Sequence, residues 1–518
     1  MNNNQYTYNQ PPMGLGMPMP PQAPMSMRQR MSRGVRRVQD VFPRWLSTYP
    51  IVIYILALMV VSFMYSSYSM PWYYYLSGIV SIVVFFYLGS YLVNDRLSLS
   101  RVRKERNFER KIFWIAFIPR VLWMFLIYYL FMEHYGDAFG FENSDALYYD
   151  ELGQFVAGLI EKGNFHFYDE ISKYSGNNDI SDMGYGVYVG FIYWLSGNSI
   201  IVIRLLKCFW SALMVFLVYR LTKSNFGEQI GRKAAIFCAL WPNFWYYCGT
   251  HLKETEMVFL AVLFVEQADQ MLRSRQFTAW KIIPVLLIGA SLLTFRTPLA
   301  LVAFLSLMFS VVMSSTRLVS WGKRIVVGGL AILLIVVTMG SRIEEQSKHL
   351  LEVAQGDTQQ GNMEWRSERD NGNAFAKYAG KSVFAPLIFT IPFPSMVRPY
   401  EGQEMQQLLN GGNFIKNIIS FFTIFAMVML LLTGKWRDHL LPLSLMIGYL
   451  IVLTMSTFAQ SERFHQPSMP FEFIFAAYGL SIAVTKPKYK RWFTYWCVLM
   501  FIGAIAWNWF KLAGRGLA

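Results

Sequence analysis

The sequence is poor in charged residues: Asp, Glu, Lys and Arg make up 15% of its 518 residues, against about 25% in an ordinary soluble domain. With 54% hydrophobic and 17% aromatic residues, this shortage excludes a soluble enzyme. The 47 basic residues outnumber the 32 acidic ones, for a net charge of +15. Because the bases stand between apolar runs, they indicate membrane topology, and no nucleic-acid partner is expected.

Cysteine and recognisable catalytic motifs are also scarce. The four cysteines, Cys208, Cys238, Cys248 and Cys497, lie in or beside apolar segments without a C-x-x-C spacing or a neighbouring His pair, so neither a disulfide framework nor a zinc site is predicted. The chain has no phosphate-binding glycine loop, nucleophile elbow, zincin motif or inverted repeat. No oxygen-ligand motif of defined spacing occurs either, and we expect no metal and no cofactor.

Long apolar runs are what the sequence has in abundance. A spanning helix needs about 20 mostly apolar residues to cross roughly 30 Å of hydrocarbon. The predicted fold class is therefore an all-α polytopic membrane protein with about thirteen helices. The predicted spans are 50–69, 71–93, 112–132, 199–221, 233–249, 256–272, 281–296, 298–316, 325–341, 414–434, 439–457, 469–485 and 492–510.

The N-terminal segment and the basic residues predict how the chain is organised. Residues 1–45, rich in Asn, Gln, Met and Pro, are predicted to be a disordered cytoplasmic tail. They lack the apolar core of a cleavable signal peptide, so the first apolar run is expected to remain as an anchor. The tail is followed by two additional helices and a basic cytoplasmic loop (46–111). A core (112–485) and then a last helix with a short tail (486–518) complete the predicted organisation.

Orientation follows from Lys and Arg, which resist translocation during insertion. Lys and Arg recur in alternate connections between the predicted spans. We expect these connections to lie on the cytoplasmic side of the inner membrane. This pattern requires that the short, glycine-interrupted stretch 183–197 does not span, so it is predicted to be re-entrant or to lie on the surface. The acidic loop 133–198 and the loop 342–413 are then periplasmic. The basic groups are Arg96 to Lys111, Arg220 to Lys233, Arg273 and Arg275, Arg317 to Arg324, Lys435 and Arg437, and Lys486 to Arg491.

The first candidate site is at the start of the acidic loop, in ENSDALYYDELG. Asp145, Tyr149 and Gly153 recur every four residues and would share one helix face. The neighbouring Leu152, Val156 and Leu159 are expected to lie on the membrane surface and to hold the carboxylate at the bilayer boundary. The alternative is that Asp145 and Ser144 only cap a helix.

The second candidate is the connection GTHLKETEM, 249–257. Its ionisable residues Lys253, Glu254 and Glu256 would be costly at membrane depth unless paired or hydrated, which implies a polar cavity. An ordinary exposed turn is the alternative. The aromatic runs around it, such as LWPNFWYYC, are typical of interfacial belts and are assigned no chemistry.

Arginines are the third element. Arg296 ends an apolar helix, and Arg463 and His465 precede another in SERFHQPSMPFEF. Guanidinium groups bind phosphate oxygens in bidentate fashion, which suits a phosphorylated lipid; snorkelling to headgroups is the alternative. Arg120 and Arg204 fall within spans and are expected to need an acidic partner or water.

The order of these parts resembles the GT-C fold glycosyltransferases, the group that includes protein O-mannosyltransferases and bacterial aminoarabinose transferases. The resemblance covers about 113–485. It implies a GT-C-like bundle and an inverting enzyme that transfers sugar from a polyprenyl-phosphate donor to an envelope glycan, lipid or protein, in contact with membrane lipid.

The resemblance also implies roles for particular residues. It places the base at Asp145, with Asp150 and Glu151 as near alternatives, and the second outer-loop acid at Glu254 or Glu256. Cations stabilise the charge that gathers on a departing phosphate. The expected phosphate-binding residues are Lys253, Arg296, Arg463 and His465.

Two other functions remain open at this point. An outer-leaflet polysaccharide polymerase or ligase would place its site in the loop 342–413 and leave Asp145 dispensable; its candidate residues are Arg342, Arg366, Arg369 and Arg398. A lipid-linked sugar transporter or flippase would need ionisable residues near the middle of the membrane and paired broken helices.

Overall fold

The computed structural model describes residues 42–140, 143–175, 180–274, 279–314, 385–399, 404–455 and 461–513, with single positions 322 and 329. Across these ranges the regular structure is helical and contains no strand, which confirms the predicted all-α membrane fold. The helices are α1 (Arg44–Met64), α2 (Trp72–Arg96), α3 (Glu105–Tyr135), α4 (Asn143–Glu161), α5 (Phe167–Ser175), α6 (Met183–Ser196), α7 (Ile200–Phe226), α8 (Glu228–Leu240), α9 (Pro242–Gly249), α10 (Glu254–Arg273), α11 (Ala279–Phe295), α12 (Thr297–Met313), α13 (Asn410–Leu432), α14 (Leu440–Met455), α15 (Glu462–His465), α16 (Met469–Ala483) and α17 (Pro487–Ala513).

Six of the described helices are long and apolar enough to cross a membrane, namely α1, α2, α3, α7, α17 and α13 with the turn before it (Glu404–Leu432). Four shorter apolar helices, α11, α12, α14 and α16, pack among them. Every predicted span overlaps a described helix except 325–341, of which only position 329 is described, and most of the N-terminal tail lies outside the described residues.

The predicted span 233–249 is divided at Pro242 between α8 and α9. Pro242 has no backbone N–H, so the carbonyl four residues earlier, that of Cys238, loses its helical partner. Arg120 of α3 takes that place: its Nη2 donates to the Cys238 carbonyl at 3.0 Å and its Nη1 to the Ala239 carbonyl at 3.2 Å. The buried arginine therefore bonds to backbone carbonyls and to the Ser211 hydroxyl, and no acidic side chain among the described residues pairs with it.

Arg204 of α7 contacts a carbonyl and an aromatic ring. It donates to the backbone carbonyl of Ala138, and its Cζ lies 5.6 Å from the centre of the Tyr128 ring. A guanidinium over an aromatic face gains electrostatic attraction without a counter-ion. Both in-span arginines are thus held by neutral groups that lie far from them in sequence.

Described parts of four of the connections predicted to be cytoplasmic meet at one end of the bundle. Arg232 donates to the carbonyls of Leu97 at 2.9 Å and Val102 at 2.8 Å, and Arg273 to that of Asp438 at 2.8 Å. Between Val102 and Arg232 the chain runs along the bundle in α3 and returns in α7, which agrees with the prediction that 183–197 does not span. At 14 residues, or about 21 Å, α6 is also too short to span alone.

Helices α4 and α6 pack closely against each other in the first large loop. Leu152 and Val156 are fully buried and face Gly186 and Gly190 of α6. Small residues four apart let two helix backbones approach closely. The expectation that this apolar face lies on the membrane surface is therefore wrong for these two residues, because α6 covers them.

The segment Thr390–Val397 is buried in the bundle without being helical, although the sequence placed it in an outer loop. Its backbone groups bond to polar side chains of α13 and α17. Lys416 donates to the Ile391 carbonyl at 2.8 Å, and Asn508 donates to the Pro394 carbonyl at 3.1 Å. Irregular backbone at membrane depth is tolerated where protein groups satisfy it in this way.

Candidate active site

Arg463 lies between two carboxylates at the end of the bundle opposite the basic connections. Its Nη1 is 2.6 Å from Oδ2 of Asp145 in α4, and its Nε is 2.5 Å from Oε1 of Glu254 in α10. The Glu254 side chain is 2% exposed and that of Asp145 is 53% exposed. Of the two carboxylates, Asp145 is therefore the one that a molecule from solution can reach.

Lys253 is the second cation of the site. It forms an ion pair with Asp182, which precedes α6, and Asp182 also accepts a hydrogen bond from the Tyr149 hydroxyl at 3.2 Å. Burial, and then the nearby Arg296 guanidinium, lower the pKa of Lys253 to about 7. Burial also raises the pKa of Tyr149 above its usual range, so this hydroxyl stays protonated and donates.

Arg296 reaches the same region from the start of α12. Its Cζ lies 5.0 Å from the centre of the Phe464 ring, and the Cζ of Arg463 lies 5.7 Å from the same ring. A ring shared by two guanidiniums holds them in one orientation without neutralising either. Three cations and three carboxylates from distant parts of the chain thus converge, namely Lys253, Arg296, Arg463, Asp145, Asp182 and Glu254.

Burial decides between the two interpretations of the connection 249–257. His251, Lys253, Glu254 and Glu256 are each at most 3% exposed, so the alternative of an ordinary exposed turn is wrong. Ionised groups are stable at such depth only with partners of opposite charge or hydrogen-bonding groups. The connection is instead a buried polar centre.

Other candidates lie outside the contacts of Arg463. Glu256 pairs with Lys207 of α7 at 3.3 Å, and both side chains are buried. Asp150 accepts a hydrogen bond from Tyr193. Glu151 is exposed on α4, and His465 Nδ1 lies 2.6 Å from the Nζ of Lys416. The structure therefore brings together Asp145, Lys253, Glu254, Arg296 and Arg463, and it places Asp150, Glu151, Glu256 and His465 apart from them.

The sequence did not indicate the groups that bind Glu462, the residue before Arg463. Glu462 accepts hydrogen bonds from the Tyr247 hydroxyl and from Asn243 Nδ2, both at 2.8 Å. Tyr247 and Asn243 belong to α9, in the aromatic run that was assigned no chemistry. An Asn directly after Pro242 was the available signal, since a buried amide requires a polar partner. Asp182 was also missed, because in the sequence it is one of many acidic residues in the first large loop.

Within the part of the chain that the structure describes, no group of three or more His, Cys, Asp or Glu side chains is arranged to hold a metal ion. The prediction that no metal takes part stays a prediction.

Comparison with known proteins gives one match. A family model described as dolichyl-phosphate-mannose-protein mannosyltransferase matches residues 186–340, which include Lys253, Glu254 and Arg296 but not Asp145 or Arg463. No curated protein and no solved structure matches the chain. The family match supports the resemblance inferred from the sequence. Together with the apolar helices, the match supports a membrane glycosyltransferase of the GT-C type.

Proposed function

We propose that the chain transfers a sugar from a polyprenyl-phosphate donor to an acceptor hydroxyl at the outer face of the cytoplasmic membrane. The observation that carries this proposal is Arg463, held between an open carboxylate, Asp145, and a buried one, Glu254. A cationic group beside an accessible carboxylate suits a reaction that needs both a phosphate site and a base. The matched family description names a donor of the same class, a dolichyl-phosphate sugar.

In the proposed reaction, Arg463, Lys253 and Arg296 bind the donor phosphate. The acceptor oxygen attacks the anomeric carbon while the bond from that carbon to the phosphate oxygen breaks, and the electron pair leaves with the phosphate. Asp145 takes the proton of the acceptor hydroxyl. A single displacement of this kind inverts the anomeric centre and yields the glycosylated acceptor and polyprenyl phosphate.

The contact between Asp145 and Arg463 orders these events. While Oδ2 of Asp145 accepts the hydrogen bond from Nη1 of Arg463, that oxygen is not available to an acceptor hydroxyl. Donor phosphate competes with Asp145 for Nη1 of Arg463, whereas Glu254 continues to hold Nε. Binding of the donor thus releases Asp145 to accept a proton, and deprotonation of the acceptor follows donor binding.

The test is transfer of label from undecaprenyl-phosphate sugars to extracted envelope acceptors by the purified protein. Asp145→Asn should lower kcat by about 10² to 10⁴, the usual contribution of a general base. The matched control is Glu161→Gln, which removes an exposed carboxylate at the end of the same helix and should leave the rate unchanged. Full transfer by a folded Asp145→Asn protein would reject Asp145 as the base.

The same assay separates this proposal from its rivals. A polymerase or ligase site in the loop 342–413 would require its arginines instead of Asp145. Of these, Arg342, Arg366 and Arg369 lie outside the described residues, and Arg398 is exposed at the end of the buried segment. A transporter would show uptake of lipid-linked sugar into vesicles without formation of a new glycosidic bond.

A further inference from the structure

A small cavity borders the candidate site at Glu254. Glu254, Thr255, Ser211, Tyr247 and Gln466 line its polar part, and apolar side chains of α7, α9 and α10 complete it. Its volume is about 10 Å³. A space of this size holds one water molecule and nothing larger.

Three polar side-chain atoms of residues that line the cavity have no hydrogen-bond partner among the described residues. They are Oε2 of Glu254, Oγ1 of Thr255 and Oε1 of Gln466, and the three residues are 2%, 7% and 1% exposed. Leaving such groups unsatisfied in a protein interior is costly, and native proteins satisfy the great majority of them. Their shared position along one cavity points to one common partner.

The chemistry of the three atoms matches the hydrogen-bonding capacity of water. The carboxylate oxygen of Glu254 and the amide oxygen of Gln466 can only accept, and the Thr255 hydroxyl can donate. One water molecule would donate to the first two and accept from the third. Three hydrogen bonds are typical of a buried structural water.

The remaining polar side-chain atoms of Glu254 and Gln466 connect these two residues to Arg463, directly or through Glu462. Glu254 Oε1 holds the guanidinium Nε at 2.5 Å, and Gln466 Nε2 donates to Glu462, the residue before Arg463. A molecule that bonds Glu254 Oε2 and Gln466 Oε1 therefore braces the guanidinium and its helix from the same side.

We propose that this cavity binds one water molecule, and that Thr255 and Gln466 are positioning residues that act through it on Glu254 and Arg463. The water site stands on the cavity and on the three polar atoms without partners in the residues that line it. Its effect on binding of the lipid phosphate rests on the proposed function.

The test compares Thr255→Val, which keeps the size of the side chain and removes the hydroxyl, with Thr255→Ser, which retains it. Structures of the full chain are determined at a resolution that shows other buried waters, and the Kd for undecaprenyl phosphate is measured. We expect density for one water in the wild-type protein and in Thr255→Ser, and none in Thr255→Val. Binding should weaken about 3- to 10-fold in Thr255→Val, as for one lost hydrogen bond, and recover in Thr255→Ser.

The outcomes separate the two parts of the proposal. An empty cavity in the wild-type protein would overturn the water site. Water lost from Thr255→Val with an unchanged Kd would overturn the positioning role. Failure of the wild-type protein to bind undecaprenyl phosphate would count against the proposed function, whereas the density at the cavity would still decide the water site. Melting temperatures of both variants show whether a change in Kd reflects loss of folding.

Discussion

At the scale of single residues, the directions in which two acidic side chains of α10 point decide which cation each of them contacts. Glu254 and Glu256 are two positions apart, which turns their side chains by about 200° around a helix. Glu254 therefore meets Arg463, and Glu256 meets Lys207 on the opposite side. From the sequence, either glutamate could be the second outer-loop acid. In the structure, Glu254 is the one that contacts Arg463, a cation proposed to bind the donor phosphate.

Lys253 makes donor binding dependent on pH. Its pKa of about 7 lies below the ordinary lysine value, so the cation is present below pH 7 and is lost as the pH rises. We expect the KM for a polyprenyl-phosphate sugar, whose phosphodiester does not titrate here, to rise up to about tenfold between pH 7 and 8. The charged groups and the ring around Lys253 are Asp145, Tyr149, Asp182, Glu254, Arg296 and Arg463.

The control for this prediction is Lys253→Arg, because arginine stays charged throughout the range. The variant should lose the rise in KM while remaining active. An unchanged pH profile in Lys253→Arg would show that another group titrates.

At the scale of elements, the packing of α4 on α6 sets the position of the acidic residues at both helix starts. A Cβ on Gly190 would come within 2.5 Å of the Val156 side chain and 3.0 Å of the Gly153 carbonyl. Gly190→Ala should therefore lower the free energy of unfolding by about 1–3 kcal/mol, as overpacking does. Thermal unfolding in detergent measures this change.

Gly158→Ala is the matched comparison, since a Cβ there would meet no atom within 4 Å. It should raise the stability of α4 by up to about 1 kcal/mol through helix propensity. Equal stability of the two variants would mean that α4 and α6 do not pack as closely as described.

At the scale of the whole molecule, the proposal depends on which side of the membrane the site faces. Lys162, after α4, and Arg437, between α13 and α14, are exposed at opposite ends of the bundle. In intact cells, a membrane-impermeant maleimide should label Lys162→Cys, whereas Arg437→Cys should react only after lysis. All four native cysteines are buried, so background labelling should be low. The reverse pattern would place Asp145 in the cytoplasm and remove the proposed donor.

Much of the architecture was readable from the sequence because hydropathy acts locally. A run of about 20 apolar residues forms a membrane helix wherever it occurs. Pro242 interrupts its helix regardless of its neighbours. The basic residues recur in every second connection between the apolar runs. Asp145, Lys253, Glu254, Arg296 and Arg463 could be singled out because charge is rare beside such runs.

Only the tertiary structure decided which of these charges meet. Arg463 contacts Glu254 and Asp145 across 209 and 318 positions of the chain, and helical periodicity predicts a face but not the neighbour that the face contacts. The same holds for Asp182 beside Lys253 and for the backbone carbonyls that bind Arg120. Local hydropathy thus determined the helices of this protein, whereas long-range packing determined the partners of its charges, since pairing of buried charges depends on three-dimensional proximity.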